Sequence, residues 1–154
     1  MNKKTLSEID AAWLRGRPVV VRADLNVPLV GGEITDDQRI RASLETIRTL
    51  ADGGARVVLL SHLGRPKGKP NPEFSLAPVA YRLQELLGRP VRFVPHAAGP
   101  EAAAAVRQLV DGSVVLLENT RFLEGDTDND PALATSWAAL GELFVNEFND
   151  LLVG

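Results

Sequence analysis

Short β-branched and apolar runs alternate along the chain with stretches whose apolar residues recur every three or four positions. The runs are Pro18-Val19-Val20-Val21-Arg22, Arg56-Val57-Val58-Leu59-Leu60, Val91-Arg92-Phe93-Val94, Ser113-Val114-Val115-Leu116-Leu117 and Leu143-Phe144-Val145-Asn146. Nearly continuous apolar runs of this length predict strands covered on both faces, as in a parallel sheet. Between the first two, Ile40, Leu44, Ile47 and Ala51 keep helical spacing, with Thr35 and Gln38 as a capping box and Gly53-Gly54 as the stop. A second helix is predicted from Ser75 to Gly88 with Val79, Leu83 and Leu86 turned inward, and a third from Pro100 through Val110. Asp130-Pro131 opens a fourth, with Leu133, Trp137 and Leu140 on one face. This alternation defines an α/β class: three α/β/α layers around a parallel sheet of about five strands, Rossmann-like and doubly wound.

Composition narrows the function classes. The 154 residues are 45 % hydrophobic and 24 % charged, which suits one globular domain and excludes disorder. No cysteine is present, so disulfides, thiolate metal sites and cysteine nucleophiles are excluded, in keeping with a cytoplasmic setting. No apolar run is long enough to span a bilayer, and the first eight residues turn polar where a signal peptide needs its apolar stretch. A net charge of −3 argues against a nucleic-acid or anionic-membrane partner. Arginine nevertheless outnumbers lysine by 13 to 4. What matters is where those arginines fall.

Ligands of open α/β sheets sit beyond the carboxyl ends of the strands. Here those ends read Arg22-Ala23-Asp24-Leu25-Asn26, Ser61-His62-Leu63-Gly64-Arg65 and Glu118-Asn119-Thr120-Arg121-Phe122. Each alone is what any polar loop offers. Three arginine-bearing ends at one rim make an anion site the better reading. Arg39 stands near the start of the first long helix, where the helix dipole disfavours a cation by roughly a few tenths of a kcal/mol. The free N–H groups of that end attract anions, so a cation beside them makes sense if a phosphate or carboxylate is bound. Arg41 and Arg48 read as surface charges.

Other motifs fail. The segment Gly64 to Pro70 is one residue short of a P-loop and has proline where Ser or Thr is needed. Asp126 to Asp130 starts like a calcium loop, but Pro131 and Trp137 occupy its glycine and glutamate positions. Two histidines, His62 and His96, are too few for a histidine-rich metal site. A receiver-like or dinucleotide-binding domain is disfavoured because the first loop has no glycine fingerprint and no lysine follows the fifth strand.

Three segments carry a resemblance. Val21-Arg22-Ala23-Asp24-Leu25-Asn26-Val27-Pro28 resembles the R-V-D-F/L-N-V-P stretch of phosphoglycerate kinases, with Ala23 where valine is usual. Ser61-His62-Leu63-Gly64-Arg65-Pro66-Lys67-Gly68 matches their S-H-L-G-R-P-K-G, and Leu116 to Phe122 is similar to their L-L-E-N-x-R-F. The order agrees as well, with Asp36 to Ile40 and Phe74 to Val79 in the expected places. The resemblance covers residues 1–146, read as the family's first domain, and leaves 147–154 as a tail foreign to it.

The resemblance implies a glycolytic phosphotransferase of two α/β domains, of which this is the half that takes 3-phosphoglycerate or 1,3-bisphosphoglycerate. Asp24, Leu25, Asn26, His62, Leu63, Gly64, Arg65 and Arg121 would bind the substrate. Arg39 would bind it too and would stabilise the transferred phosphoryl group. No cofactor is expected on this chain, since MgATP or MgADP would belong to the second domain. After Asn146 the family's D-A-F-G-x-A-H-R-A-H gives way to Glu147-Phe148-Asn149-Asp150-Leu151-Leu152-Val153-Gly154, which leaves out a substrate arginine and the sixth strand of the first domain. Weak substrate binding without turnover is therefore expected, and a folding unit without binding is the alternative. The strand ending at Asn146 is expected either to self-associate through its edge or to pair with the tail.

Overall fold

In a computed structural model, the structure describes residues 3–4, 14–64, 72–123, 135–137, 139–141, 143–146 and 151–153. The strands are β1 (Lys3–Lys4), β2 (Pro18–Arg22), β3 (Leu29–Val30), β4 (Glu33–Ile34), β5 (Arg56–Leu60), β6 (Val91–Val94), β7 (Val114–Leu117), β8 (Leu143–Asn146) and β9 (Leu151–Val153). The helices are α1 (Gln38–Asp52), α2 (Ala77–Leu87) and α3 (Pro100–Arg107), with 3-10 turns at Pro72–Phe74 and Thr120–Phe122. The five predicted strands are all present, and they form one parallel block in the order β8-β2-β5-β7-β6.

Both faces of the block's central strands β2, β5 and β7 are buried, which is why these strands read as unbroken apolar runs. Val19, Val21, Val57, Leu59 and Leu116 pack on one side against Ile40, Ile47 and Leu50 of α1 and Val79 and Leu83 of α2. Their sequence neighbours Val20, Val58, Leu60, Val115 and Leu117 point the other way, toward Ala102, Ala105 and Val106 of α3 and toward Trp137. Two apolar cores back to back are the three-layer α/β/α arrangement. A one-residue slip of any strand would exchange its two faces, so side-chain shape on each side fixes the register.

Helix ends depart from the sequence expectation in detail. Thr35 and Gln38 form no capping box. α1 starts from Asp37, Thr35 Oγ1 donates to the Pro28 carbonyl at 3.4 Å, and the Gln38 N–H goes to Asp36 Oδ1 at 2.9 Å. Several acidic and hydroxyl side chains crowd this turn, and the one nearest the free N–H takes it. α2 begins at Ala77, two residues after Ser75, whose Oγ accepts the Ala77 N–H at 3.2 Å. It stops at Gly88, whose left-handed φ of 72° favours glycine. Leu86 lies at the margin of the core and Leu87 inside it. α3 ends at Arg107, short of Val110, because the chain tightens there: the Leu109 N–H bonds to the Val106 carbonyl. Residues 135–137 are helical with Trp137 buried, while Asp130, Pro131 and Leu133 lie outside the described residues.

The edge at β8 has a definite partner. β9 pairs antiparallel with it, Phe144 opposite Val153 and Asn146 opposite Leu151, and β1 pairs with β9 in turn. Of the two fates expected for this edge, pairing with residues of the tail is the one within the fold.

Candidate functional site

β2, β5 and β7 are immediate neighbours in the sheet, so the three polar strand ends stand side by side at its carboxyl rim. The chain leaves β2 through Ala23, whose N–H bonds to the Leu60 carbonyl at 2.9 Å, and leaves β5 with the Ser61 carbonyl accepting the Thr120 N–H at 3.0 Å. The ladder between β2 and β5 thus continues one step past the strands, and the loops after β5 and β7 stay tied to each other beyond theirs.

Asp24 and Asn26 form a compact turn in which the Asn26 N–H donates to Asp24 Oδ1 at 3.2 Å. Asn26 Oδ1 accepts the Gly64 N–H at 3.1 Å, tying the loop after β2 to the loop after β5. Arg39, in the first turn of α1, donates through Nη1 to the Asn26 carbonyl at 2.8 Å and lies 3.5 Å from Asp24 Oδ1. Its side chain remains 55 % exposed. The guanidinium is therefore aimed by a backbone carbonyl yet keeps donors facing solvent.

Asn26, Arg39, Leu63 and Gly64 line one open cavity of about 800 Å³, with Val27 and Phe74 on its apolar side. Asp24 reaches it through Arg39. Leu25 and Leu63 are buried, and their N–H groups are taken by Ser61 Oγ at 3.0 Å and Asn119 Oδ1 at 3.2 Å. What these two residues give the rim is the position of its backbone. His62 and Arg121 are partly buried at the same rim, off the wall of this cavity. Arg65 lies outside the described residues. Gly64 cannot be replaced without strain: its φ is +61°, and a Cβ there would come within 2.5 Å of the Phe74 ring.

Sequence reasoning gave no role to the residues that hold this rim from below. Asn119, fully buried, bonds to Leu63, Phe74 and Arg121. Glu118, also buried, accepts from Ser75 Oγ at 2.7 Å and from the N–H groups of Leu76 and Asn119 at 2.8 Å each. Both were visible in the motif after β7, but a polar pair following a strand looks like any loop. Arg22 takes a different part from the other strand-end arginines, with its guanidinium carbon 5.7 Å from the centre of the Trp137 ring. The ring in turn donates Nε1–H to the Ala97 carbonyl at 2.8 Å.

Behind Arg39, Asp37 receives Arg41 at 2.8 Å and Arg82 of α2 at 2.7 Å. The hydrogen bonds from Arg41 and then Arg82 hold the Asp37 carboxyl below its usual range, and the same contact raises Arg41. Arg48, read as a plain surface charge, caps the end of α2 by donating to the Leu86 carbonyl at 2.6 Å. Among the described residues, no three His, Asp or Glu side chains gather to hold a metal ion.

Fold and site define a parallel α/β domain whose polar groups converge on the carboxyl rim of three neighbouring strands. The family model for phosphoglycerate kinase matches residues 9–148. The chain belongs to the phosphoglycerate kinase family. It is 53 % identical over 147 residues to the phosphoglycerate kinase of Rubrobacter xylanophilus and 56 % identical over 147 residues to that of Akkermansia muciniphila. Each match covers 96 % of this chain and 36 % of the relative, so the chain spans about a third of the relatives' length. The solved phosphoglycerate kinase of Coxiella burnetii superposes with a TM-score of 0.80 at 37 % identity, over 94 % of this chain and 35 % of that one. The enzyme of Pyrococcus horikoshii gives 0.80 at 29 %, over 92 % and 36 %. Among the described residues no helix is long and apolar enough to cross a membrane.

Proposed function

We propose that the chain is the 3-phosphoglycerate-binding part of a phosphoglycerate kinase and that its ligand sits on the rim above β2, β5 and β7. One observation carries the reading: Arg39 is held by the Asn26 carbonyl at the mouth of a cavity built from the loops after two adjacent strands. The acceptor is a small acid with a phosphate and a carboxylate. The exposed guanidinium of Arg39 and the N-terminal end of α1 supply the complementary charge. Asp24, Asn26, His62, Arg65 and Arg121 complete the set, with Leu25, Leu63 and Gly64 contributing backbone.

Phosphoryl transfer between an acyl phosphate and a nucleotide needs little covalent work from the protein. Positioning and neutralisation of developing charge supply most of the acceleration. On this chain, Arg39 is the residue placed to do both for the phosphoryl group. The nucleotide and its magnesium belong to residues outside these 154, so the chain by itself binds without turnover. Alignment of donor and acceptor accounts for roughly 7–11 kcal/mol of barrier, and half a cleft cannot provide it.

Calorimetric titration with 3-phosphoglycerate tests the binding, with a coupled ATP assay on the same material. Weak, salt-sensitive binding and no turnover are expected. Absence of heat at millimolar ligand would favour a folding unit that has kept the residues without the affinity.

A further inference from the structure

We propose that Asn119 is a positioning residue for this site: its carboxamide locks the turns after β5 and β7 into one frame. The inference rests on reading the rim as the phosphoglycerate site. Asn119 is fully buried. Its Oδ1 accepts the N–H groups of Leu63 at 3.2 Å and Arg121 at 3.0 Å. Its Nδ2 donates to the carbonyls of Leu63 at 2.7 Å and Phe74 at 2.9 Å.

A carboxamide has two donor hydrogens and one oxygen with two lone pairs. All four directions are used on backbone, so nothing is left for a ligand. The role of Asn119 is to hold the groups around it. Its contacts are nearly those of a short strand, meeting both the N–H and the carbonyl of Leu63. They also gather the 3-10 turn at Phe74 and the backbone of Arg121. From Leu63 the next residue, Gly64, gives its N–H to Asn26, whose carbonyl holds Arg39. One buried side chain therefore joins the backbone of Arg121 to the residues that aim Arg39. No other side chain does this at the same size: aspartate lacks the donors, leucine lacks both functions, and serine is too short to span the turns.

The test uses the 154-residue chain, with Asn119→Ala, Asn119→Ser and a control, Leu50→Ala. Leu50 is fully buried in α1 near its carboxyl end, at the opposite end of the sheet. Affinity for 3-phosphoglycerate is read by calorimetry at a temperature where each protein is folded. Amide exchange is read at Leu63 and Arg121 against Val58 and Val115 in the strands. A positioning role predicts at least about tenfold weaker binding for the Asn119 variants. It also predicts faster exchange at Leu63 and Arg121 with the strand amides unchanged. Leu50→Ala should lower the melting temperature and keep its affinity. If Asn119→Ala does not fold, Asn119→Ser carries the measurement. Unchanged affinity, continued protection at Leu63 and Arg121, or uniform acceleration of all four amides would overturn the assignment. If the unaltered chain binds no 3-phosphoglycerate, the reading of the rim fails by itself, and the exchange pattern alone decides the role of Asn119.

Discussion

Arginines stand at both rims of the sheet, and the two rims use them differently. At the amino rim, Arg56 opens β5 and meets Asp111 at 3.2 Å, while Arg89, just before β6, pairs with Asp52 and bonds to the Gly112 carbonyl at 3.3 Å. Both of these arginines have an opposite charge of their own chain. At the carboxyl rim, the buried acid Glu118 is satisfied by a hydroxyl and two N–H groups, not by an arginine. Arg39 has a backbone carbonyl as its short partner and only a 3.5 Å approach from Asp24. On the proposed reading, the donors of Arg39 that face solvent are the ones left to a ligand. Arg56 and Arg89 are closed by acids at one rim, while Arg39 keeps solvent-facing donors at the other. The difference lies in what the neighbours have already satisfied.

Substitutions at the two rims can break that contrast. Gly64→Ala should have the largest effect, since it combines a left-handed backbone with a clash against Phe74. A loss of roughly 2–4 kcal/mol in stability is expected, with weaker binding, and denaturant melts with ligand titrations would show it. Arg39→Ala should leave stability within about 0.5 kcal/mol but remove about 1.5–3 kcal/mol of binding, roughly tenfold to a hundredfold in affinity. An Arg39→Ala protein that binds normally would mean the carboxyl rim is as self-satisfied as the other.

Asp37 sharpens the comparison through pH. Its carboxyl is held below the ordinary value by Arg41 and Arg82, so the stability it contributes is present above the unfolded pKa near 3.8. That contribution is lost as pH falls through the lower folded value. Asp37→Asn should therefore be less stable than the unaltered chain at neutral pH, with the gap closing below about pH 4. A gap that persists in acid, followed by circular dichroism, would show that the clasp does not depend on charge. The smallest effect is expected at the amino rim. Arg56→Ala should change stability by about 1 kcal/mol or less and affinity not at all.

The sheet was legible in the sequence because burial on both faces leaves a plain mark. Val19 to Val21 and Val57 to Leu60 are apolar at every position, and no loop reads that way. The rim was legible in part. Asp24, Asn26 and Arg39 were named from strand ends and a helix start, and the fold brings them within bonding distance. Asn119 and Glu118 were not assigned, because the property that matters, burial with full hydrogen bonding to backbone, has no local signature. The starts of α1 and α2 differed for a related reason, while α3 begins at Pro100 as expected. Thr35, Asp36 and Asp37 can all cap, and only the three-dimensional turn decides between them.

The contrast between rims is the central claim, and glycine amides placed at both ends of the sheet report on it directly. A titration of the 154-residue chain with 3-phosphoglycerate, followed by nitrogen-proton NMR, should shift Gly64, Asn26 and Arg121 at the carboxyl rim. It should leave Gly16, Gly54 and Gly112 at the amino rim in place. Shifts of similar size at both rims, or none at millimolar ligand, would contradict the account.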